Sequence, residues 1–137
     1  MQQEDRKGGR REEFVGDGSR EVIAACIDVH RLLGPGLLES AYRTCLAREL
    51  SIRGLQFERE RPVRVTYKGV EAEAAYRIDF VVLDRLLIEV KSVERLLPVH
   101  HAQVFTYLKL TGLPTALLVN FNATTLREGL RRLTQKK

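Results

Sequence analysis

Two short apolar runs joined by Asp84-Arg85 most constrain what this chain can become: Tyr76-Arg77-Ile78-Asp79-Phe80-Val81-Val82-Leu83 and Leu86-Leu87-Ile88-Glu89-Val90-Lys91. Both read as β-strands. Charges interrupt them at few places, and aspartate, which strands avoid, sits between Ile78 and Phe80. Side chains at i and i+2 of a strand share a face, so Glu89 and Lys91 point the same way. Two carboxylates and an ammonium on adjacent strands describe a hard-cation site with a lysine beside it. Oxygen ligands suit Mg²⁺ or Mn²⁺, and Lys91 would bind phosphate or polarise a water. The plainer alternative is a half-exposed hairpin with a Glu–Lys surface pair, and these three residues alone leave both open.

Strand parity makes the choice discrete. Directly opposed residues of an antiparallel hairpin point to one face, and a one-residue slip reverses every side chain. A two-residue loop at Asp84-Arg85 would pair Asp79 with Val90 and Glu89 with Phe80, leaving the carboxylates on opposite faces. A three-residue loop at 84–86 would pair Asp79 with Lys91 and Val81 with Glu89, on one face. A bulge would correct the parity equally well. A shared cation therefore predicts a three-residue loop or a bulge, with the carboxylates within roughly 6 Å of each other.

At 137 residues the chain is long enough for one domain with a sizeable core. No run approaches the roughly 18 apolar residues of a membrane span, and the polar N-terminus shows no signal peptide. Cys26 and Cys45 fall in helical patterns, which suits reduced thiols in a cytoplasmic protein, and no Cys/His cluster has zinc spacing. The net charge is +5. Residues 121–137 carry Arg127, Arg131, Arg132, Lys136 and Lys137 against Glu128 alone. That balance suits either a phosphate-contacting tail or a solvated helix end.

Taken in order, residues 1–18 read as a disordered tail with Gly8, Gly9, Gly16 and Gly18 among balanced charges. A helix capped by Ser19 and reaching Leu33 shows Val22, Ile23, Cys26, Val29 and Leu33 on one face. His30 beside that face reads as a packed or capping residue. Gly34-Pro35-Gly36 breaks the chain, and a second helix over 37–53 ends at Gly54. Glu39 stands in its first turn, with Arg43 placed for an exposed i,i+4 ion pair. Extended segments follow: 57–67, a turn at Lys68-Gly69, then Val70, Ala72, Ala74 and Tyr76 in alternation. Pro98 opens a third helix and Gly112 closes it. The strand over 115–121 then implies a right-handed crossover and a parallel pair. Leu126, Leu130 and Leu133 recur at helical spacing, although Gly129 weakens a helix there and a short strand is the alternative.

Several blocks combine along this order. Gly36-Leu37-Leu38-Glu39-Ser40-Ala41-Tyr42 reads G-x-x-E-x-x-Y, and Tyr76-Arg77-Ile78-Asp79 and Ile88-Glu89-Val90-Lys91 follow it. Next come Leu97-Pro98-Val99-His100-His101-Ala102-Gln103 with Tyr107, Leu110-Thr111-Gly112 and Asn120-Phe121-Asn122. The set resembles the GxxExxY protein family, a branch of the PD-(D/E)XK nuclease superfamily, over residues 20 to 134. The resemblance implies an α/β, restriction-endonuclease-like core: a mixed four-stranded sheet, an antiparallel meander plus one parallel strand, flanked by helices. Asp79, Glu89 and Lys91 match the superfamily's catalytic motif, with Ile78 where a proline usually stands. Glu39 matches the family's glutamate on the N-terminal helix, a further metal ligand. Gln103 and Tyr107 resemble the Gln-x-x-x-Tyr motif of exonuclease-like branches and share a helix face, which His100 joins.

The activity so implied is metal-assisted phosphodiester hydrolysis. Asp79, Glu89, Glu39 and the Val90 carbonyl would hold Mg²⁺ or Mn²⁺, with Lys91, Gln103 and Tyr107 as catalytic residues and no organic cofactor. The expected partner is nucleic acid, DNA before RNA, contacted by Arg127, Arg131 and Arg132. A homodimer or larger assembly stays open. Two other classes remain: a catalytically silent nucleic-acid-binding or assembly module with a nuclease-like fold, and a structural protein with a surface hairpin.

Overall fold

The computed structural model describes residues 16–73 and 76–135. Of the expected N-terminal tail, 1–15 lie outside the described residues, as does Ala74 of the alternating segment. Residues 16–18 are described and tied down: Asp17 accepts a hydrogen bond from the Ser19 amide at 2.9 Å and an ion pair from Arg132 at 3.0 Å. Burial opposes the charge of the Asp17 carboxyl, but the Ser19 hydrogen bonds and then Arg132 together hold it below its ordinary value.

Two helices come first, α1 (Ser19–Leu33) and α2 (Glu39–Ile52). Gly18, not Ser19, occupies the cap position of α1, at a φ of 85°. Strands β1 (Phe57–Val63) and β4 (Tyr76–Val82) form a long antiparallel hairpin, with β2 (Thr66–Tyr67) and β3 (Val70–Glu71) as a small ladder between them. Strand β5 (Leu86–Lys91), helix α3 (Pro98–Thr111) and strand β6 (Thr115–Asn120) make the expected crossover, and β5 and β6 are parallel. Pro98 begins α3, and Gly112 ends it at a φ of 78°, a conformation that favours glycine.

The C-terminal segment is one turn of helix, α4 (Leu126–Gly129), and then a strand, β7 (Leu130–Thr134), antiparallel to β6. The sheet therefore has five strands, in the order β1-β4-β5-β6-β7, where the sequence led us to expect four. Leu130 and Leu133 have helical spacing, but the backbone of Gly129 abuts β6. A Cβ built on Gly129 would collide with the Asn120 carbonyl oxygen, so glycine stands there for close approach.

The sheet is buried on both faces. Helices α1 and α2 cover one face through Val22, Cys26, Val29, Tyr42, Leu46 and Leu50, packed on Phe80, Ile88, Val90, Val119 and Phe121. Helix α3 covers the other through Val104, Tyr107 and Leu108, packed on Ile78, Leu87, Ala116 and Leu118. That explains why β5 and β6 read as nearly continuous apolar runs. Burial pushes the Cys26 thiol up to about 12, which leaves it protonated and inert at neutral pH. His30 behaves as a tie, its Nε2 lying 2.9 Å from the Ala123 carbonyl oxygen. Among the described residues no helix is long and apolar enough to cross a membrane.

Candidate active site

The β4–β5 turn fixes the register as far as Phe80 and Ile88. The ladder pairs Val82 with Leu86, Val81 with Leu87 and Phe80 with Ile88, so three residues, 83–85, intervene. The loop is as long as expected but starts one residue earlier than 84–86. Leu83 and Asp84 both take a φ of 55°, the Arg85 amide donates to the Val82 carbonyl at 3.0 Å, and Arg85 is the extra residue before pairing begins. The register is shifted by two from the one expected, which preserves parity: one further step would set Asp79 opposite Glu89.

At that step the backbone ladder gives way to side chains. The Asp79 amide donates to Glu89 Oε1 at 2.9 Å, and the Val90 amide donates to Asp79 Oδ2 at 2.8 Å. Each carboxylate is thus held by the backbone of the opposite strand. Strand β4 is irregular here. Phe80 and Val82 pack on the α1–α2 side, yet Ile78, of the same parity, packs on the α3 side. Glu60 of β1, between the pairs Arg59–Phe80 and Arg61–Ile78, has a φ of 55°. Such irregularities recur where a strand re-aims a functional side chain.

The setting is electrostatically costly for two acids. Glu89 is 5% exposed. Burial first, and the charge of Asp79 second, push its carboxyl up to about 8. Asp79 is also raised, chiefly by burial, against the opposing pull of the Val90 amide, Arg43 and Lys91. Glu39 adds a third negative charge that raises both.

Glu39 arrives from α2, aimed by the turn before it. The Tyr42 hydroxyl donates to the Gly34 carbonyl at 2.6 Å and accepts from the Leu37 amide at 3.1 Å, and its ring stacks on Phe121 with centroids 4.8 Å apart. The tyrosine of G-x-x-E-x-x-Y is therefore a buried brace for the glycine-proline-glycine turn. Glu39 Oε2 accepts from the Ser92 amide at 3.4 Å, immediately after β5. Its i,i+4 pair with Arg43 forms at 3.4 Å, but that guanidinium also lies 3.8 Å from Asp79 Oδ1, so the pair belongs to the site rather than to a free helix surface.

On the α3 side, Lys91 Nζ donates to Gln103 Oε1 at 3.0 Å, and Gln103 Nε2 donates to the Tyr107 hydroxyl at 3.3 Å. Burial, then the charge of Glu89, raises the Tyr107 hydroxyl above its ordinary value. His100 opens the helix: its Nδ1 accepts from the Leu97 amide at 2.9 Å. Slight burial and the Lys91 charge lower its imidazole. Val90 contributes its amide, given to Asp79.

The basic C-terminal residues are not gathered with the acids. Arg131 and Arg132 lie on the edge strand β7, two strands from β5. Arg132 is engaged with Asp17 and with the Ser19 hydroxyl. Arg131 donates to the carbonyls of Glu128 and Leu130. Arg127 is exposed on α4. Leu118 pairs with both Glu89 and Arg131, so Arg131 stands in the same row of the sheet as Glu89, about 10 Å away at the usual strand spacing.

Two residues in the neighbourhood escaped the sequence reading as functional. Arg43 figured there only as a partner for Glu39. Asn120, 2% exposed, clamps the chain leaving β5: Val93 N donates to its Oδ1 at 3.0 Å, and its Nδ2 donates to the Val93 carbonyl at 2.9 Å. A polar residue ending an apolar strand was the signal for Asn120.

Among the described residues no group of three or more His, Cys, Asp and Glu side chains is arranged as a ready metal cluster. Asp79 and Glu89 are turned onto backbone amides, and Glu39 onto Ser92 and Arg43. The donor chemistry nevertheless fits a hard divalent cation. Hard oxygens from three elements meet there, and the charge that raises Asp79 and Glu89 is what such an ion would neutralise.

A mixed sheet flanked by helices, with acids facing each other across β4 and β5 and a lysine two residues beyond the second, is the arrangement of a restriction-endonuclease-like fold. The family model of the PD-(D/E)XK nuclease superfamily matches residues 16–133, and the chain belongs to that superfamily. No curated protein and no solved structure matches the chain.

Proposed function

We propose that the protein is a divalent-metal-dependent nuclease that hydrolyses phosphodiester bonds of nucleic acid, DNA before RNA, and that it belongs to the GxxExxY branch. The observation that carries this reading is the interlock of Asp79 and Glu89 across β4 and β5, with Lys91 held by Gln103. Mg²⁺ or Mn²⁺, held by Asp79, Glu89, Glu39 and the Val90 carbonyl, would supply a water acidic enough to attack at neutral pH and charge to offset that on the phosphate. Lys91 presents its ammonium to the phosphate oxygens as they gain charge. Gln103 Oε1 accepts a hydrogen bond from one N–H of that ammonium and leaves the other two free to aim at substrate. Tyr107 fixes the Gln103 amide, and so the direction of Lys91. Arg131, in the Glu89 row, the exposed Arg127 and Arg132 would contact the nucleic-acid backbone. Free Cys26 and Cys45 suit a cytoplasmic location.

A second reading is a silent nucleic-acid-binding or assembly module, favoured by one observation: one oxygen of each central carboxylate already accepts from a backbone amide. A cleavage assay separates the two. Single-stranded, double-stranded and branched DNA and RNA are incubated with the protein in Mn²⁺ or Mg²⁺. Cleavage abolished by a chelator and by Asp79→Ala is expected. Binding without cleavage of any substrate would favour the silent module.

A further inference from the structure

We infer that Arg43 is a built-in competitor of the divalent cation, a counter-ion that shares Glu39 and Asp79 with it. The inference rests on the metal-dependent reading above and deepens it. One guanidinium nitrogen, Nη1, lies 3.4 Å from Glu39 Oε1 and 3.8 Å from Asp79 Oδ1. Those carboxylates come from α2 and β4, so Arg43 joins two elements rather than decorating one helix. Asp79 is only 16% exposed on its side chain and Arg43 28%, so the pairing is poorly screened by solvent.

A cation bound by Glu39 and Asp79 at about 2.0–2.6 Å per bond lies within a few ångströms of this guanidinium. Like charges repel there, and the same oxygen lone pairs cannot serve both at full strength. Arg43 has a long flexible stem and a partly open side, so it can withdraw into solvent as the cation arrives. Metal affinity then includes the loss of two arginine–carboxylate contacts. Glu39 keeps the Ser92 amide at 3.4 Å as a separate anchor, so it does not depend on Arg43 for its position.

The test is Mn²⁺ titration calorimetry on the full chain as wild type, Arg43→Gln and Arg43→Lys. Removing the charge should tighten Mn²⁺ binding about two- to fivefold, the equilibrium counterpart of a partly exposed ion pair. Arg43→Lys, which keeps the charge, should stay near wild type. Arg43→Ala, a good helix former, serves in place of the glutamine variant should that one not fold, and the same tightening is required of it. Unchanged or weaker binding in the neutral variants, with wild type binding normally, would overturn the inference and leave the nuclease reading standing. No Mn²⁺ binding by wild type would overturn both.

Discussion

Glu89 should make the protein lose stability as pH rises, and Glu89→Gln should remove most of that loss. The folded-state carboxyl is raised from an ordinary 4.5 to about 8 by burial and by Asp79. A raised acid binds its proton more tightly in the folded chain. Below the unfolded value both states are protonated and pH does nothing. Between 4.5 and 8 the folded state holds a proton that the unfolded state has lost, so stability falls by about 1.4 kcal/mol per pH unit. Above the folded value the loss is complete, on the order of 5 kcal/mol. From pH 5.5 to 8 the expected loss is about 3 kcal/mol. At a urea slope of about 2 kcal/mol per M, the unfolding midpoint should drop by roughly 1.5 M. Glutamine keeps the oxygen that accepts the Asp79 amide and carries no charge, so its midpoint should move far less over this range. The difference between the wild-type and variant curves reports Glu89 together with the part of the Asp79 shift that the Glu89 charge causes. The assay is urea unfolding followed by circular dichroism across that pH range. Parallel curves for the two proteins would refute the argument.

The other expectations are local. Lys91→Ala should abolish cleavage while Mn²⁺ binding measured by calorimetry persists, since an ammonium is no metal ligand; full activity would remove Lys91 from the mechanism. Gly129→Ala should destabilise the fold by about 1–3 kcal/mol in urea unfolding, because its Cβ meets the Asn120 carbonyl where β6 ends, and a neutral result would show the segment free to shift.

The sequence carried the helices and the central hairpin because their signals are local. Proline at the start of α3 and glycine after it mark real ends, and alternating or continuous apolar runs mark the strands. Strand parity carried the three-residue loop but not its start, and the irregularity of β4 between Ile78 and Phe80 lay beyond it. The turn begins at Leu83, a residue whose positive φ its side chain gives no reason to expect. β7 was obscured because Leu126, Leu130 and Leu133 keep helical spacing, while the close approach that makes Gly129 necessary is a tertiary fact. Arg43 was visible as a helix neighbour of Glu39, but its second partner, Asp79, lies 36 positions further along the chain and only the fold brings it close. The basic tail separated for the same reason. Composition cannot show that Arg132 is drawn to Asp17 while Arg131 falls in the row of Glu89.

The central claim is that Asp79 and Glu89 are acids held together for a cation. It is tested most directly by Mn²⁺ titration calorimetry of the wild type beside Asp79→Ala/Glu89→Ala, with thermal unfolding of both at matched Mn²⁺. The account predicts saturable binding and a rise in wild-type melting temperature that grows with metal concentration, both lost in the double variant. Equal binding by the two proteins, or none by either, would contradict it.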